Sequence, residues 1–297
     1  MSARQPAGVL SLFDTAVQHT AVVLLHGLCS TPDELLTVQA GLRQRGYAVE
    51  PLSIDGYSFD AAAPMQRATP FAQWIDAIEA RVDALRLQYD KVLLIGISAG
   101  ASLALGAAIR CGRRIDALVL MSTTLRFDGW AIPRLHWLLP LAFYTPLGRF
   151  WQYREAPPYG VKNERVRVWI ERELRARKIS RAGSSVIGVD HLREHDRLIR
   201  HVRRHLNDVV CSDVLALHAQ QDEVASVANL DLLARGLRCG NFRTVVLSNS
   251  YHMITIDNDR QQVVRETVAF TDAVAQGTAS TLPLSHPHSF TPRECMP

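Results

Sequence analysis

The chain has no apolar run of 18 residues, so nothing in it reads as a membrane-spanning helix. It has no Cys-x-x-Cys pair. Its five cysteines (Cys29, Cys111, Cys211, Cys239 and Cys295) are an odd number scattered over 297 residues. That excludes a disulfide framework or a cysteine zinc site and reads as reduced thiols in a cytoplasmic protein. A strong charge of one sign is missing too. The 33 Lys and Arg against 29 Asp and Glu leave +4, too little to point to nucleic acid. The first residues, MSARQPAGVLSLF, hold one Arg and no long apolar stretch, so no secretory signal is read there. Internal repeats are absent. With 47% apolar and 21% charged residues, the composition is neither collagen-like, coiled-coil nor wholly disordered. The expectation is a soluble, cytoplasmic globular protein with no nucleic-acid partner and no membrane span.

What is present is an alternation. Short runs rich in Val, Leu and Ile recur at Ala21–Leu25, Ala48–Ile54, Val92–Ile97, Ala117–Met121, Val214–Leu217 and Thr244–Leu247. Each is too short for a helix and fits a strand buried on both faces of a parallel sheet. Amphipathic stretches lie between them. Thr31 followed by Pro32 and Glu34 reads as an N-cap with a Thr-x-x-Glu capping box. Thr69-Pro70 opens a second helix, with Phe71, Trp74, Ile75, Ile78, Val82 and Leu85 at three- and four-residue steps. Strands alternating with helices predict an α/β fold, a mostly parallel central sheet flanked by helices.

The rhythm breaks after Met121. No strand is expected from Leu125 to about Val210. Residues 1–124 are read as the first part of the α/β core, 125–210 as an inserted helical cap and 211–276 as the second part. A last helix is expected from about Asn258 to Val274. The tail 277–297, rich in Ser, Thr, Pro and His, is expected to be disordered.

The strongest chemical signal is Gly96-Ile97-Ser98-Ala99-Gly100. It fits Gly-x-Ser-x-Gly, a nucleophile elbow, in which a sharp strand-to-helix turn exposes the serine hydroxyl. The run KVLLIGI before it reads as a buried strand, and ASLALGAAIR after it as a small-residue helix. Serine needs a base, and an acid behind the base. After the strand VLALH comes Asp222, with Glu223 as nearest rival and Asp257 as a more distant one. After FRTVVL comes His252, in the loop before the last helix. Ser98, Asp222 and His252 thus each follow a strand end. His252 would take the serine proton, and Asp222 would fix the ring tautomer and stabilise its cation. The developing oxyanion needs fixed donors, worth roughly 3–4 kcal/mol each. The N–H of Ala99, directly after the nucleophile, and that of Leu28, in the His26-Gly27-Leu28 turn after AVVLL, are the candidates. Cys29 lacks an elbow and is read as a packing thiol.

Four segments together, His26-Gly27-Leu28, Gly96-Ile97-Ser98-Ala99-Gly100, His218-Ala219-x-x-Asp222-Glu223 and Asn249-Ser250-x-His252-x-Ile254-Thr255-Ile256-Asp257, resemble the bacterial carboxylesterase and monoacylglycerol-lipase group of α/β-hydrolases. Leu198-Ile199-x-x-Val202-Arg203-x-His205-Leu206 resembles it as well. The likeness covers roughly residues 20–125 and 192–272. It implies an α/β-hydrolase fold, Ser98, Asp222 and His252 as catalytic triad, and Leu28 and Ala99 as oxyanion donors. It also implies hydrolysis of a small carboxylic ester through an acyl-enzyme, with short- to medium-chain acyl or monoacylglycerol-like substrates and no metal or organic cofactor. Two departures stand out. Tyr251 precedes His252 where many members have Gly, which would narrow the mouth of the site. The insertion at 125–190 is longer than in compact esterases.

Four of the five tryptophans, Trp130, Trp137, Trp151 and Trp169, fall in that insertion. Either they line an acyl pocket over Ser98, with Trp130 and Trp137 beside Tyr251 as substrate contacts, or they form the insertion's own core. Residues 162–205 carry 13 Lys and Arg against 6 Asp and Glu. The surplus reads as a solvated helical face, or as attraction to an anionic or carrier-linked acyl group or, weakly, to a lipid surface. His191, His195, His201 and His205 have metal-ligand spacing, but nothing completes a site, and His195 is read as packed or pocket-lining. Two rival functions follow: a thioesterase or acyltransferase on carrier-bound acyl groups, and a non-catalytic binding protein on the same fold. A peptidase stays open, because a triad does not specify the leaving group.

Overall fold

In the computed structural model the six apolar runs become one sheet. The structure describes residues 12–60, 66–133, 137–146, 148, 152–154, 156–177, 179–180, 183–184 and 186–279. The sheet strands are β1 (Thr20–Leu25), β2 (Ala48–Pro51), β3 (Lys91–Ile97), β4 (Ala117–Met121), β9 (Asp213–Ala219) and β10 (Asn241–Leu247). Their order is β10-β9-β4-β3-β1-β2, and every pairing is parallel. Side chains alternate between two cores. Ala21, Val23 and Leu25 face one, and Val22 and Leu24 face the other. A strand buried on both faces needs apolar residues at every position, which is why these runs are unbroken.

Helices cover both faces. Helix α2 (Leu36–Gln44) and α9 (Arg260–Gln276) pack together on one side, with α1 (Leu12–Gln18) against α9. Helix α3 (Phe71–Arg86) and α4 (Ala99–Cys111) pack on the other. The three- and four-residue stripe of α3 is what it buries: Trp74, Ile75, Ile78, Val82 and Leu85. The predicted capping box is not formed. Pro32–Leu35 is a short 3-10 turn, and the Thr31 side chain caps nothing. Glu34 turns inward, for a reason given below.

Between β4 and β9 lie α5 (Leu139–Tyr144), β5 (Gln152–Arg154), α6 (Glu164–Arg177), β6 (Ile179–Ser180), β7 (Gly183–Ser184), β8 (Val186–Gly188) and α7 (Val189–His205). The expectation of no strand here is corrected. β5 pairs antiparallel with β8, and β6 with β7. Strands of two or three residues are too short for a period of two to show in the sequence. Helix α7 lies within 125–210 yet packs on α3 and α4, and its Leu198 and Val202 sit in the main core. Helix α8 (Ala228–Gly236) follows β9. Among the described residues no helix is long and apolar enough to cross a membrane. Residues 280–297 of the expected disordered tail, and Trp151, lie outside the described residues.

Candidate active site

The chain runs from β1 outward to β2, then returns to β3 and continues the opposite way. The direction of winding therefore reverses between β1 and β3, the place where an open α/β sheet leaves a crevice at its strand ends. Ser98 sits there, directly after β3. Its backbone is left-handed, with φ 55° and ψ −119°. Such a conformation costs a non-glycine residue about 1–3 kcal/mol and persists only where the surroundings enforce it. They do so here. The Ser98 N–H donates to the Met121 carbonyl at 2.8 Å, and α4 begins at the next residue. A Cβ on Gly96 would lie 2.3 Å from the Gly100 carbonyl oxygen, and one on Gly100 would lie 2.2 Å from that of Leu25. Only glycine lets the elbow fold so tightly against β1.

The loops after β3, β9 and β10 converge. His252 Nε2 lies 2.8 Å from Ser98 Oγ. His252 Nδ1 lies 2.9 and 2.8 Å from the two carboxylate oxygens of Asp222. Since a carboxylate accepts, Nδ1 carries the proton and Nε2 is left to face the serine. Asp222 also accepts the N–H groups of Val224 (2.9 Å) and Ala225 (2.8 Å). Its burial favours the neutral acid, but His252, His218 and these donors outweigh that and hold its pKa below the usual value. Burial alone would lower His252. The carboxylates of Asp222, Glu223 and Glu34 overcome it and push the ring up to about 9.

The main chain of His252 is fixed at both ends. Its N–H donates to Glu223 Oε2 at 3.0 Å, and its carbonyl accepts the Ser122 hydroxyl at 2.7 Å. Glu223 therefore stands beside the ring's partner without being it. Asp257, the other rival for the acid, accepts among the described residues only backbone N–H groups, from Tyr251, Lys162, Asn163 and Asn258. Thr124 Oγ1 lies 3.4 Å from Ser98 Oγ.

The His26–Ser30 turn is held from several sides. The Gly27 N–H donates to Glu34 Oε2 at 2.6 Å, Cys29 N–H to the Tyr57 carbonyl at 3.1 Å and Ser30 N–H to the Gly27 carbonyl at 3.2 Å. The Tyr57 hydroxyl donates to the His26 carbonyl at 2.6 Å. Burial holds His26 down to about 4, so its ring is neutral. The Gly27 carbonyl, 2.7 Å from Nδ1, can only accept, so Nδ1 bears the proton and Nε2 accepts from the Ser58 hydroxyl at 2.7 Å. Among the described residues Leu28 N–H is the one backbone N–H of 27–30 left without an acceptor. Ala99 N–H, in the first turn of α4, has no acceptor within its helix. Cys29 is buried, and burial pushes its thiol well above the ordinary range. That suits a packing role and not a nucleophile.

The aromatic residues are spread. The Trp130 indole meets Tyr251 edge-on, with centroids 5.6 Å apart, and donates to the Gln221 carbonyl at 3.1 Å. Lys162 Nζ donates to Gln221 Oε1 at 2.9 Å beside the same tyrosine. Trp130 is 59% exposed and Trp137 65%. Trp169 packs with Val161, Ile170 and Met253 in a small core between α6 and the His252 loop. His195 is buried with its ring edge to Phe127. Glu34, Ser122, Tyr57 and Ser58 escaped the sequence reading. The first looked like a helix cap, and nothing local marks the others.

The family model described as serine aminopeptidase, S33, matches residues 17–259. The chain belongs to that family. A thermostable monoacylglycerol lipase of Bacillus sp. (strain H-257) is 24% identical over 249 residues, covering 84% of this chain and 89% of that protein. The solved structures of LipS and LipT, two metagenome-derived lipolytic enzymes, give a match with TM-score 0.69 and 20% identity, over 86% of this chain and 94% of that one. The monoacylglycerol lipase of Paleococcus ferrophilus gives 0.69 at 16% identity, over 85% and 94%. At these identities the structural matches establish the fold. It is the α/β-hydrolase fold, as the six-stranded sheet and its flanking helices show.

Proposed function

We propose that this S33-family chain is a serine hydrolase that cleaves carboxylic esters through an acyl-enzyme. The substrates are short- to medium-chain acyl esters or monoacylglycerol-like molecules. The observation that carries the reading is the hydrogen-bonded chain from Ser98 Oγ through His252 to Asp222, with the serine on a strained elbow. Ser98 Oγ attacks the ester carbonyl as His252 Nε2 takes its proton. The carbonyl oxygen becomes an oxyanion facing the N–H groups of Leu28 and Ala99. The C–O bond to the alcohol breaks, and the imidazolium gives its proton to that alcohol. Water, deprotonated by the same Nε2, then attacks the acyl carbon; the bond to Ser98 Oγ breaks as the imidazolium returns the proton to that oxygen, and the acid is released. Asp222 steadies the imidazolium at each transfer. No step calls for a metal or an organic cofactor.

Ester specificity is supported by the relatives' lipolytic and monoacylglycerol-lipase activities. The family's own description favours a second reading, hydrolysis of an amino-terminal amide bond. The test is a fluorophosphonate probe and a p-nitrophenyl ester series, run beside Ser98→Ala. An aminoacyl p-nitroanilide and a matched acyl-CoA thioester accompany them. Labelling and ester turnover lost together in the variant are the expected result. Faster release from the anilide or the thioester would reassign the leaving group. Ligand binding without turnover in the wild type would leave a binding protein.

A further inference from the structure

Glu34 is a carboxylate that the steps above do not use, yet it is 2% exposed and lies beneath the oxyanion turn. Its Oε2 accepts the Gly27 N–H at 2.6 Å. A Cβ on Gly27 would lie 3.2 Å from Oε1, so the backbone rests directly on the carboxylate. A buried carboxylate is costly unless its lone pairs are used, and here one oxygen is spent on a backbone N–H of this turn. Gly27 is the residue before Leu28. Fixing the Gly27 N–H fixes one end of the peptide whose far neighbour presents the unpartnered Leu28 N–H. The Cys29 N–H bond to Tyr57 fixes the other end.

We propose that Glu34 is a positioning residue for ester hydrolysis: by accepting the Gly27 N–H it aims the Leu28 N–H at the oxyanion, and its charge steadies the His252 imidazolium. The inference rests on the esterase reading of Ser98 and His252. The ionisable groups facing Glu34 are His252, from the loop after β10, and Tyr57, from the loop after β2. Burial pushes Glu34 up to about 7, against the Gly27 bond and His252, which favour its charged form. Its charge is therefore full only on the alkaline side, where His252 also becomes a free base.

The experiment measures kcat, KM and the pH profile of p-nitrophenyl butyrate hydrolysis for wild type, Glu34→Ala and Glu34→Gln. The alanine variant removes the acceptor, and kcat should fall by about 10²-fold with little change in KM. The glutamine variant keeps an acceptor oxygen and loses the charge. Its kcat at the alkaline plateau should return to within about fivefold of wild type, and the acid limb of kcat/KM should move to lower pH. Three equal kcat values overturn the proposal. Equal losses in both variants with an unmoved limb also overturn it, because a packing residue would give that. Should Glu34→Ala fail to fold, the limb of Glu34→Gln decides alone: moved supports, unmoved overturns. A wild type that neither labels with fluorophosphonate nor turns over the ester refutes the esterase reading first, and this inference with it.

Discussion

Glu223 accepts the main-chain N–H of His252 at 3.0 Å, while its neighbour Asp222 holds the ring of the same histidine at 2.8 Å. Two adjacent carboxylates at one strand end thus divide the work of placing one histidine. Their substitution should separate accordingly. Asp222→Asn keeps the shape but favours the wrong ring tautomer, and kcat should drop by about 10⁴-fold. Glu223→Gln keeps an acceptor for the N–H, and a small misplacement should cost about tenfold. Steady-state kinetics on one ester distinguishes them. Equal losses would mean that the pair acts as a single buried charge.

The pH dependence follows from His252. Its pKa is raised from 6.5 to about 9 in the folded protein. The folded state therefore holds this proton more tightly than the unfolded one. The stability so gained is complete below pH 6.5 and is lost as pH rises through about 9. The proposed mechanism has the opposite need, because only the unprotonated Nε2 can take the serine proton. So kcat/KM should climb toward pH 9 while Tm declines over the same span. An acid limb centred near 6.5 would show that the surrounding carboxylates do not act on the free enzyme's base.

Much of this arrangement was readable in the sequence, and the exceptions have physical causes. The six strands showed because a strand buried on both faces is apolar throughout. Ser98, Asp222 and His252 showed because each follows such a strand and the elbow has its own glycines. Glu34 was misread because Thr31-Pro32-x-Glu34 is a sound local capping pattern. What overrides it is a donor seven residues earlier, Gly27, which only the folded turn brings to the carboxylate. Helix α7 was legible as an amphipathic helix, but a hydrophobic stripe does not say which layer it joins. The short strands of the insertion were invisible because pairs such as Tyr153 with Ile187 are made across 34 residues of chain.

Trp130 gives a test of the proposed acyl path. It is 59% exposed, so Trp130→Ala should change stability by no more than about 0.5 kcal/mol. Its edge contact with Tyr251, next to His252, places it at the rim of the site. If the acyl chain runs along this rim, wild-type kcat/KM should rise from acetyl to octanoyl esters by up to about 0.8 kcal/mol per methylene, and the variant should flatten that rise. A chain-length profile identical to wild type would remove Trp130 from the acyl path.

Gly100 has no room for a methyl group. Its Cβ would stand 2.2 Å from the Leu25 carbonyl oxygen and 2.4 Å from that of His26, backbone atoms of β1 and of the turn that follows it. Relief requires α4 to move away from β1. Gly100→Ala should therefore cost at least about 1–3 kcal/mol in urea unfolding and lower kcat out of proportion, since Ser98 and Leu28 would be driven apart. A stable, fully active Gly100→Ala protein would contradict the packing of the elbow on β1.

Asp257 joins the insertion to the His252 loop. Its carboxylate is buried and accepts the N–H groups of Lys162 (2.7 Å), Asn163 (2.9 Å), Tyr251 (2.9 Å) and Asn258 (2.9 Å). Four donors use both oxygens, so an amide cannot replace the acid. Asp257→Asn would turn an NH₂ group toward two N–H donors, leaving each without a partner. The expected cost is about 3 kcal/mol or more, read from the urea midpoint at constant m. The Tyr251 N–H is one of the four, and Tyr251 adjoins His252, so kcat should fall as well. A loss of stability with kcat intact would show that the His252 loop keeps its geometry through Glu223 and Ser122 alone.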